Sequence, residues 1–350
     1  MSERHRSAAT IADIGRELGI SAMTVSRALN GHPDVNEETR RKVLSHAARL
    51  NYRPNRWART LVTKKSNIIG VVIPSISHSF FPEIIRAIEE TIERRGYALM
   101  LCHTHADAVR ERAAIEMLLG SCVDGLIVAS MFPDYEAGVY ASLLRDGVPF
   151  TLIDRYFPTL DCPRVRTDDV LVGWLATRHL IELGHTRIAM IRGPEVSTGR
   201  LREEGFVRAM RESGLEVREE YMVQGNFEFG GGYHAMRELL TRSERPTALF
   251  AGNDPSAIGA IRACREAGLD VPGDISIVGA GCIEGSYHPN PFLTTIDWSH
   301  QEMGEKAAEL LLANIAREET TLARDWICRP RLVVRQSTGP VGTEPGAALH

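Results

Sequence analysis

The chain has 350 residues, is 43% hydrophobic and 25% charged, and carries a net charge of −4. That composition is ordinary for a globular protein and long enough for two or three packed units, which excludes fibrous and compositionally disordered classes. No apolar run approaches the roughly 18 residues of a membrane span, and Met1–Ala9 lacks the apolar stretch of a signal peptide, so the expected compartment is the cytoplasm.

The charge is unevenly spread. Residues 1–65 hold 13 Lys/Arg against 6 Asp/Glu, and the remainder holds 28 against 39. A small basic head on an acidic body suits a polyanion-binding module joined to something else. The six cysteines, at 102, 122, 162, 264, 282 and 328, are not spaced as a zinc knuckle or a CxxC redox pair. They read as reduced, mostly buried thiols, with no metal or cofactor expected.

In chain order, residues 1–9 read as a flexible tail. Thr10 then caps a first helix, with Asp13 placed to reciprocate, and Ile11, Ile14 and Leu18 share one face. Gly19 permits the left-handed residue that ends the helix. Ser21 caps a second helix whose inward face is Val25 and Leu29, leaving Ala22, Met23, Ser26 and Arg27 outward. Two short helices joined by a tight turn form a helix-turn-helix, whose second helix enters the DNA major groove. Arg27 suits a guanine edge, and Ala22 and Met23 suit thymine methyls. The hydroxyls of Ser21, Thr24 and Ser26 suit phosphates. Thr10 and Asn30 complete the expected contact set. A third helix follows, capped by Asn36, with Val43, Ala47 and Leu50 inward.

Arg53-Pro54 ends the head, which spans 10–53. The segment 54–65 is a hinge of about two turns, too short to be a stable helix alone where roughly 12–15 residues are needed. It is expected to fold on DNA, with Arg56 and Arg59 drawn to phosphates and Leu61 as an apolar wedge.

The strings Ser-x-x-Thr-Val-Ser-Arg-x-Leu-Asn-Gly (21–31), Val-Asn-Glu-Glu-Thr-Arg (35–40) and Asn-Tyr-Arg-Pro-Asn (51–55) resemble the lactose/galactose repressor family. The resemblance runs to about residue 338. It implies that Ala22, Met23 and Arg27 read bases, and that Asn55, Ala58 and Leu61 contact the minor groove, Leu61 as the intercalating lever. Trp57 and Leu18 are bulkier than the residues the family often has there and read as packing variants.

From Asn67 the pattern alternates strands (67–73, 97–102, 124–129, 149–153, 187–192, 247–250, 275–279) with amphipathic helices (about 80–95, 107–119, 135–145, 170–183, 200–213, 230–242, 253–267). Alternation of this kind gives parallel sheets with helices on both faces, here in two runs and hence two lobes. The expected fold is an all-α helix-turn-helix DNA-binding head and hinge helix on a two-lobed α/β body. The resemblance likens that body to periplasmic sugar-binding proteins. It divides residues 66–338 into a first lobe, about 66–161 and 292–320, and a second, about 162–291 and 321–338. Residues 339–350 lack heptads and read as a disordered tail.

Ligands bind beyond the carboxyl ends of such strands, so the cleft between lobes is the expected pocket. Candidates just after strands are Ser75, His78, Phe80 and Phe81, then Asp154 and Arg155, then Asn253 and Asp254, with Phe227 and Trp298 beside them. Arg202 stands in Arg-x-x-Gly-Phe206, the motif whose Arg the family uses on ligand. The family usually places a ligand-binding Asp where Gly281 stands here, in Gly279-Ala-Gly-Cys282. The loss of that carboxylate leaves room for a ligand group of other chemistry or for a larger pocket, and the gain of Arg over Asp points toward an acidic ligand such as a sugar acid.

Cys102-His-Thr-His105 has metal-ligand residue types, but strand alternation accounts for it. No catalytic constellation is present, so an enzyme is not expected. The reading is a ligand-responsive repressor of carbohydrate or sugar-acid genes, a homodimer on a pseudo-palindromic operator in the nucleoid. A purine or other metabolite is the alternative effector, and a cytoplasmic binding protein without regulatory role the alternative class.

Overall fold

The computed structural model describes residues 9–52, 65–77, 80–133, 136–283, 291–317 and 324–342. The hinge positions Asn55, Ala58 and Leu61 and the loop residue His78 lie outside the described residues. The chain forms two compact units that divide between Ser66 and Asn67.

The first unit holds α1 (Ile11–Leu18), α2 (Ala22–Leu29) and α3 (Glu37–Arg49). Each begins where a side chain satisfies an otherwise orphaned backbone N–H. Thr10 and Asp13 form a reciprocal capping box, Ser21 Oγ accepts from Thr24 N at 3.1 Å, and Asn36 Oδ1 accepts from Thr39 N at 2.8 Å. Gly19, at φ 68°, closes α1. Ile14, Val25, Ala28, Val35, Val43 and Ala47 form the core, with Leu18, Leu29 and Leu50 half-buried around it.

The second unit begins β1 (Ile68–Ile73), α4 (Phe80–Glu93), β2 (Ala98–His103), α5 (Ala108–Gly120), β3 (Gly125–Val128), α6 (Gly138–Arg145), β4 (Phe150–Ile153), β5 (Arg164–Thr167) and α7 (Asp169–Glu182). It continues β6 (Ile188–Arg192), α8 (Ser197–Glu212), β7 (Met222–Gln224), α9 (Phe229–Leu239), β8 (Ala248–Ala251), α10 (Asp254–Glu266) and β9 (Ser276–Ala280). It closes with β10 (Thr294–Asp297), α11 (His300–Ala316), β11 (Asp325–Cys328) and β12 (Arg331–Val333).

Two six-stranded sheets result, ordered β11-β5-β4-β3-β1-β2 and β12-β10-β9-β8-β6-β7. All pairs are parallel except β10 with β12. This membership corrects the expected lobe boundaries. β5 lies beyond residue 162 yet belongs to the first sheet, and so does β11; β10 belongs to the second. The chain therefore crosses between lobes three times, at Asp168, at Trp298-Ser299 and at Arg329-Pro330.

The tail boundary also moves. Gly339 O lies 3.1 Å from His185 Nε2, and Val341 N donates to Leu183 O at 3.1 Å, so packed chain continues past residue 338. Among the described residues no helix is long and apolar enough to cross a membrane.

α7 and α8 pack backbone against backbone. A Cβ at Gly173 would stand 2.0 Å from Arg202 O, and one at Gly205 2.0 Å from Val170 O. Gly173→Ala is therefore expected to lower stability by about 1–3 kcal/mol, the usual cost of overpacking, read from the denaturant midpoint. An unchanged midpoint would show that the two helices separate freely.

His179 Nε2 lies 3.0 Å from Thr338 Oγ1, and His185 is held by Thr247 Oγ1 at 3.0 Å and Ser276 Oγ at 3.1 Å. Burial pushes both imidazoles below their usual range. A histidine that resists protonation only when folded contributes stability present above its unfolded pKa, about 6.5, and lost progressively as pH falls from there through its lowered folded value. The melting temperature of His185→Asn should accordingly fall less between neutral pH and about pH 5.5 than that of the wild type. Parallel curves would remove His185 from the acid response.

Candidate functional site

On the head, Val25 and Ala28 turn α2 into the core, so its opposite face meets solvent. Met23 is 67% exposed, an unusual position for a large apolar side chain unless something covers it. Arg27 is exposed, and its guanidinium makes no hydrogen bond or ion pair among the described residues. Ala22, Thr24 and Ser26 are half-buried beside them. Thr10, Ser21 and Asn30 are engaged by the head itself: Thr10 and Ser21 cap helices, and Asn30 Nδ2 donates to Ser26 O at 2.8 Å. Their side chains thus fix the helices that present Met23 and Arg27.

In the body, a cavity of about 680 Å³, its mouth included, opens where the carboxyl ends of the two sheets' strands face each other. Its wall includes Ser75, Phe80, Phe81, Asp154, Arg155, Arg202, Phe227, Asn253, Gly281 and Trp298 from the sequence reading. Asp254 is the exception. It is fully buried and accepts from Ile283 N and Thr295 Oγ1, so it pins the β9 and β10 exits rather than lining the cavity.

The rings form one aromatic side. Phe80 meets Phe81 edge-on at 4.8 Å and Trp298 at 5.9 Å between centroids. The Arg202 guanidinium lies 5.1 Å from the Trp298 ring centre and 5.6 Å from that of Phe227, within cation–π range. Arg202 Nε donates to Asp169 Oδ1 and Nη1 to Gly252 O, both at 2.8 Å. Arg155 pairs with Asp154 at 3.4 Å and donates to Ser130 O at 3.2 Å. Glu111 braces that wall from behind, accepting from Ser130 Oγ at 2.7 Å and Met131 N at 2.6 Å.

Both aspartates are buried. Burial pushes the Asp169 carboxyl up to about 7, against the pull of Arg202, and raises that of Asp154 against Arg155 and Arg202. Several buried polar atoms make no hydrogen bond among the described residues: Arg155 Nε, though ion-paired with Asp154, and Thr198 Oγ1, Trp298 Nε1 and Asp169 Oδ2. Three of these four belong to residues that line the cavity. Orphaned buried donors cost free energy unless a ligand supplies an acceptor.

Gly281 sits at φ 122°, a conformation side chains rarely adopt. The missing carboxylate therefore comes with a backbone turn that would strain an aspartate. The sequence reading missed Thr198, Asn226, Glu228, Met131 and Asp169. Thr198 had a readable signal, because it opens the helix after the strand at 187–192. Asn226 and Glu228 follow β7, three residues long and too short to show a pattern. His103 and His105 stack with ring centroids 4.0 Å apart. Among the described residues no group of three or more His, Cys, Asp or Glu gathers to hold a metal.

Both units match known protein families. Residues 10–55 match the bacterial regulatory proteins, lacI family, and residues 177–338 match the periplasmic binding protein-like domain. The HTH-type transcriptional repressor PurR of Proteus mirabilis (strain HI4320) is 38% identical over 334 residues, covering 94% of this chain and 96% of that protein. The ribose operon repressor of Escherichia coli (strain K12) is 37% identical over 310 residues, covering 88% and 94%. The lac repressor dimer bound to operator and the anti-inducer ONPF superposes with a TM-score of 0.82 at 28% identity, covering 95% of this chain and 100% of that one. With a solvent-facing reading helix, a ligand cavity between two lobes and full-length relatives of this kind, the chain belongs to the lacI family of bacterial regulatory proteins and is a ligand-responsive, DNA-binding transcriptional regulator.

Proposed function

We propose that this chain represses transcription as a homodimer on a pseudo-palindromic operator, and that its effector is a carbohydrate or sugar acid. The observation that carries the effector class is the cavity wall, which combines the aromatic faces of Phe80, Phe81, Phe227 and Trp298 with buried polar atoms that make no hydrogen bond among the described residues, Trp298 Nε1, Thr198 Oγ1 and Arg155 Nε. Pyranose and furanose rings offer apolar faces and many acceptors, and match that pairing. A purine is the second reading, favoured by the rings of Phe80, Phe227 and Trp298, on which a flat base can stack.

Dimerisation is supported by apolar side chains on the outer edge of the first lobe. β2 is an edge strand; its Leu101 is 40% exposed, and Val109 and Met117 on the neighbouring α5 are 77% and 49% exposed. A second copy would cover them, and two heads give the footprint that specific operators need. Asn55, Ala58 and Leu61 would then reach the minor groove, with the regulator working in the cytoplasm on the nucleoid. Effector binding would change how the lobes sit and so shift operator affinity, by an amount set by its differential affinity for the two arrangements.

Gel shifts on the upstream DNA of its own gene, with and without sugars, sugar acids and purines, test this reading. A retarded band at low salt is expected, altered by one of the first two classes. Absence of any shift at low salt would sink the DNA-binding role, and a response to purines alone would reverse the effector class. For Arg27→Ala, preference should relax at one base pair per half-site by about 1–3 kcal/mol. Unaltered preference with weaker binding would place Arg27 on phosphate instead.

A further inference from the structure

Resting on the reading of the cavity as the effector site, we propose that the effector carries an oxyanion, a carboxylate or phosphate, docked on the amino-terminal turn of α8 beside Arg155 and Arg202. The first observation is the helix end itself. α7 and α10 are capped by Asp168 and Asn253, whose side chains accept from Leu171 N and Ser256 N. α8 has Val196 at that position and no side-chain cap. Ser197, Thr198 and Gly199 are buried, and their backbone N–H groups find no acceptor among the described residues. Sixteen residues of aligned peptide dipoles thus end in three unsatisfied donors with a partial positive charge. Buried and uncapped, such an end is stabilised by an anion.

Independent of the helix end are the side chains around it. Thr198, 1% exposed, lines the cavity with Oγ1 making no hydrogen bond among the described residues, and Arg155, 7% exposed, lines it with Nε held in an ion pair 3.4 Å from Asp154 Oδ2 but making no hydrogen bond. Arg202 spends Nε on Asp169 and Nη1 on Gly252, and its second terminal nitrogen makes no hydrogen bond among the described residues. Donors therefore predominate at this end of the cavity.

The carboxylates do not cancel this. Asp169 is taken up by Arg202 and does not line the cavity, Asp154 is paired with Arg155, and Glu228 lies on the wall contributed by the segment after β7. A neutral hydroxyl accepts at most two hydrogen bonds and must donate one. A carboxylate accepts up to four and a phosphate more, donating none, which matches three amides, a hydroxyl and two guanidinium edges. The absence of an aspartate at Gly281 removes the residue whose charge would oppose an acid in the same cavity.

The test uses the full-length chain and melting temperature as readout. Inorganic phosphate, against sodium chloride at matched ionic strength, should give a saturable rise. Within the pairs galactose/galacturonate, glucose/gluconate and ribose/ribose 5-phosphate, an acid should act at a concentration at least about tenfold below its neutral twin, the effect of one charge-assisted hydrogen bond or more. Sugar acid and sugar phosphate arms separate the two sources of the oxyanion. Thr198→Val should weaken the active acid about tenfold, and Thr198→Ser should restore it. A neutral sugar binding as tightly as its acid overturns this inference and leaves the carbohydrate reading intact. Purines acting alone overturn both. A panel silent toward phosphate and every acid overturns it, and an acid that binds Thr198→Val as well as the wild type removes the docking place on α8.

Discussion

The body is organised around one buried ion pair. Asp169 opens α7 where the chain first passes from one lobe to the other, and Arg202 sits one turn into α8. Their side chains are 0% and 5% exposed, so two charges have left water. Such a pair is tolerated only with good geometry and further hydrogen bonds, and removing one partner typically costs about 3–5 kcal/mol. Here Gly252 O supplies the extra acceptor, and the rings of Trp298 and Phe227 cover the guanidinium. Trp298 belongs to the second lobe crossing, so one cation ties together two of the three places where the lobes are joined. Glycine at 173 and 205 is required because α7 and α8 must approach backbone to backbone for that pair to close.

That arrangement gives the cavity its chemistry. Arg202 is immobilised before any ligand arrives, which lowers the ordering cost of binding. The same packing leaves Trp298 Nε1 without an acceptor inside the wall. Stability and readiness for ligand are set against each other here, as is usual where a pocket must remain specific.

What was legible in the sequence follows from how local each signal is. Thr10 with Asp13, Ser21 and Asn36 announce three helix starts within four residues each, and the structure has all three caps. The alternation of β1 to β4 and β6, β8 and β9 with helices was equally readable, because each strand is a continuous apolar run. β5, Arg164–Thr167, alternates charge with apolar residues, and β11 and β12 are four and three residues long. Nothing local marks such strands, and which sheet they join is settled by tertiary pairing, for β11 with a strand more than 150 residues away, as Asp325 with Arg164 and Arg166. Hence the lobe boundaries moved. Candidate residues were found where they directly follow a continuous apolar strand, as Asp154 and Arg155 do. Asp254 misled because its carboxylate turns toward Thr295, and the direction of a side chain at a helix start is fixed by tertiary packing. Gly281 read as a lost carboxylate; its φ of 122° shows a backbone turn that favours glycine.

Two of the three crossings leave the first sheet from β5 and β11, its adjacent last strands, the third leaves the second sheet from β10, and β2 closes the opposite edge of the first. With strands spaced about 4.8 Å apart, β2 stands roughly 24 Å from the side where the lobes are joined. The cavity runs from that joined side, at Trp298, across to the β1 exit at Pro74 and Ser75. Any pivoting of one lobe about the joined side behaves as a lever whose long arm ends at β2. A turn of about 10° about the β11 side would carry β2 some 4 Å. A small rotation at the joined side thus has its largest displacement at the far rim of the lobe.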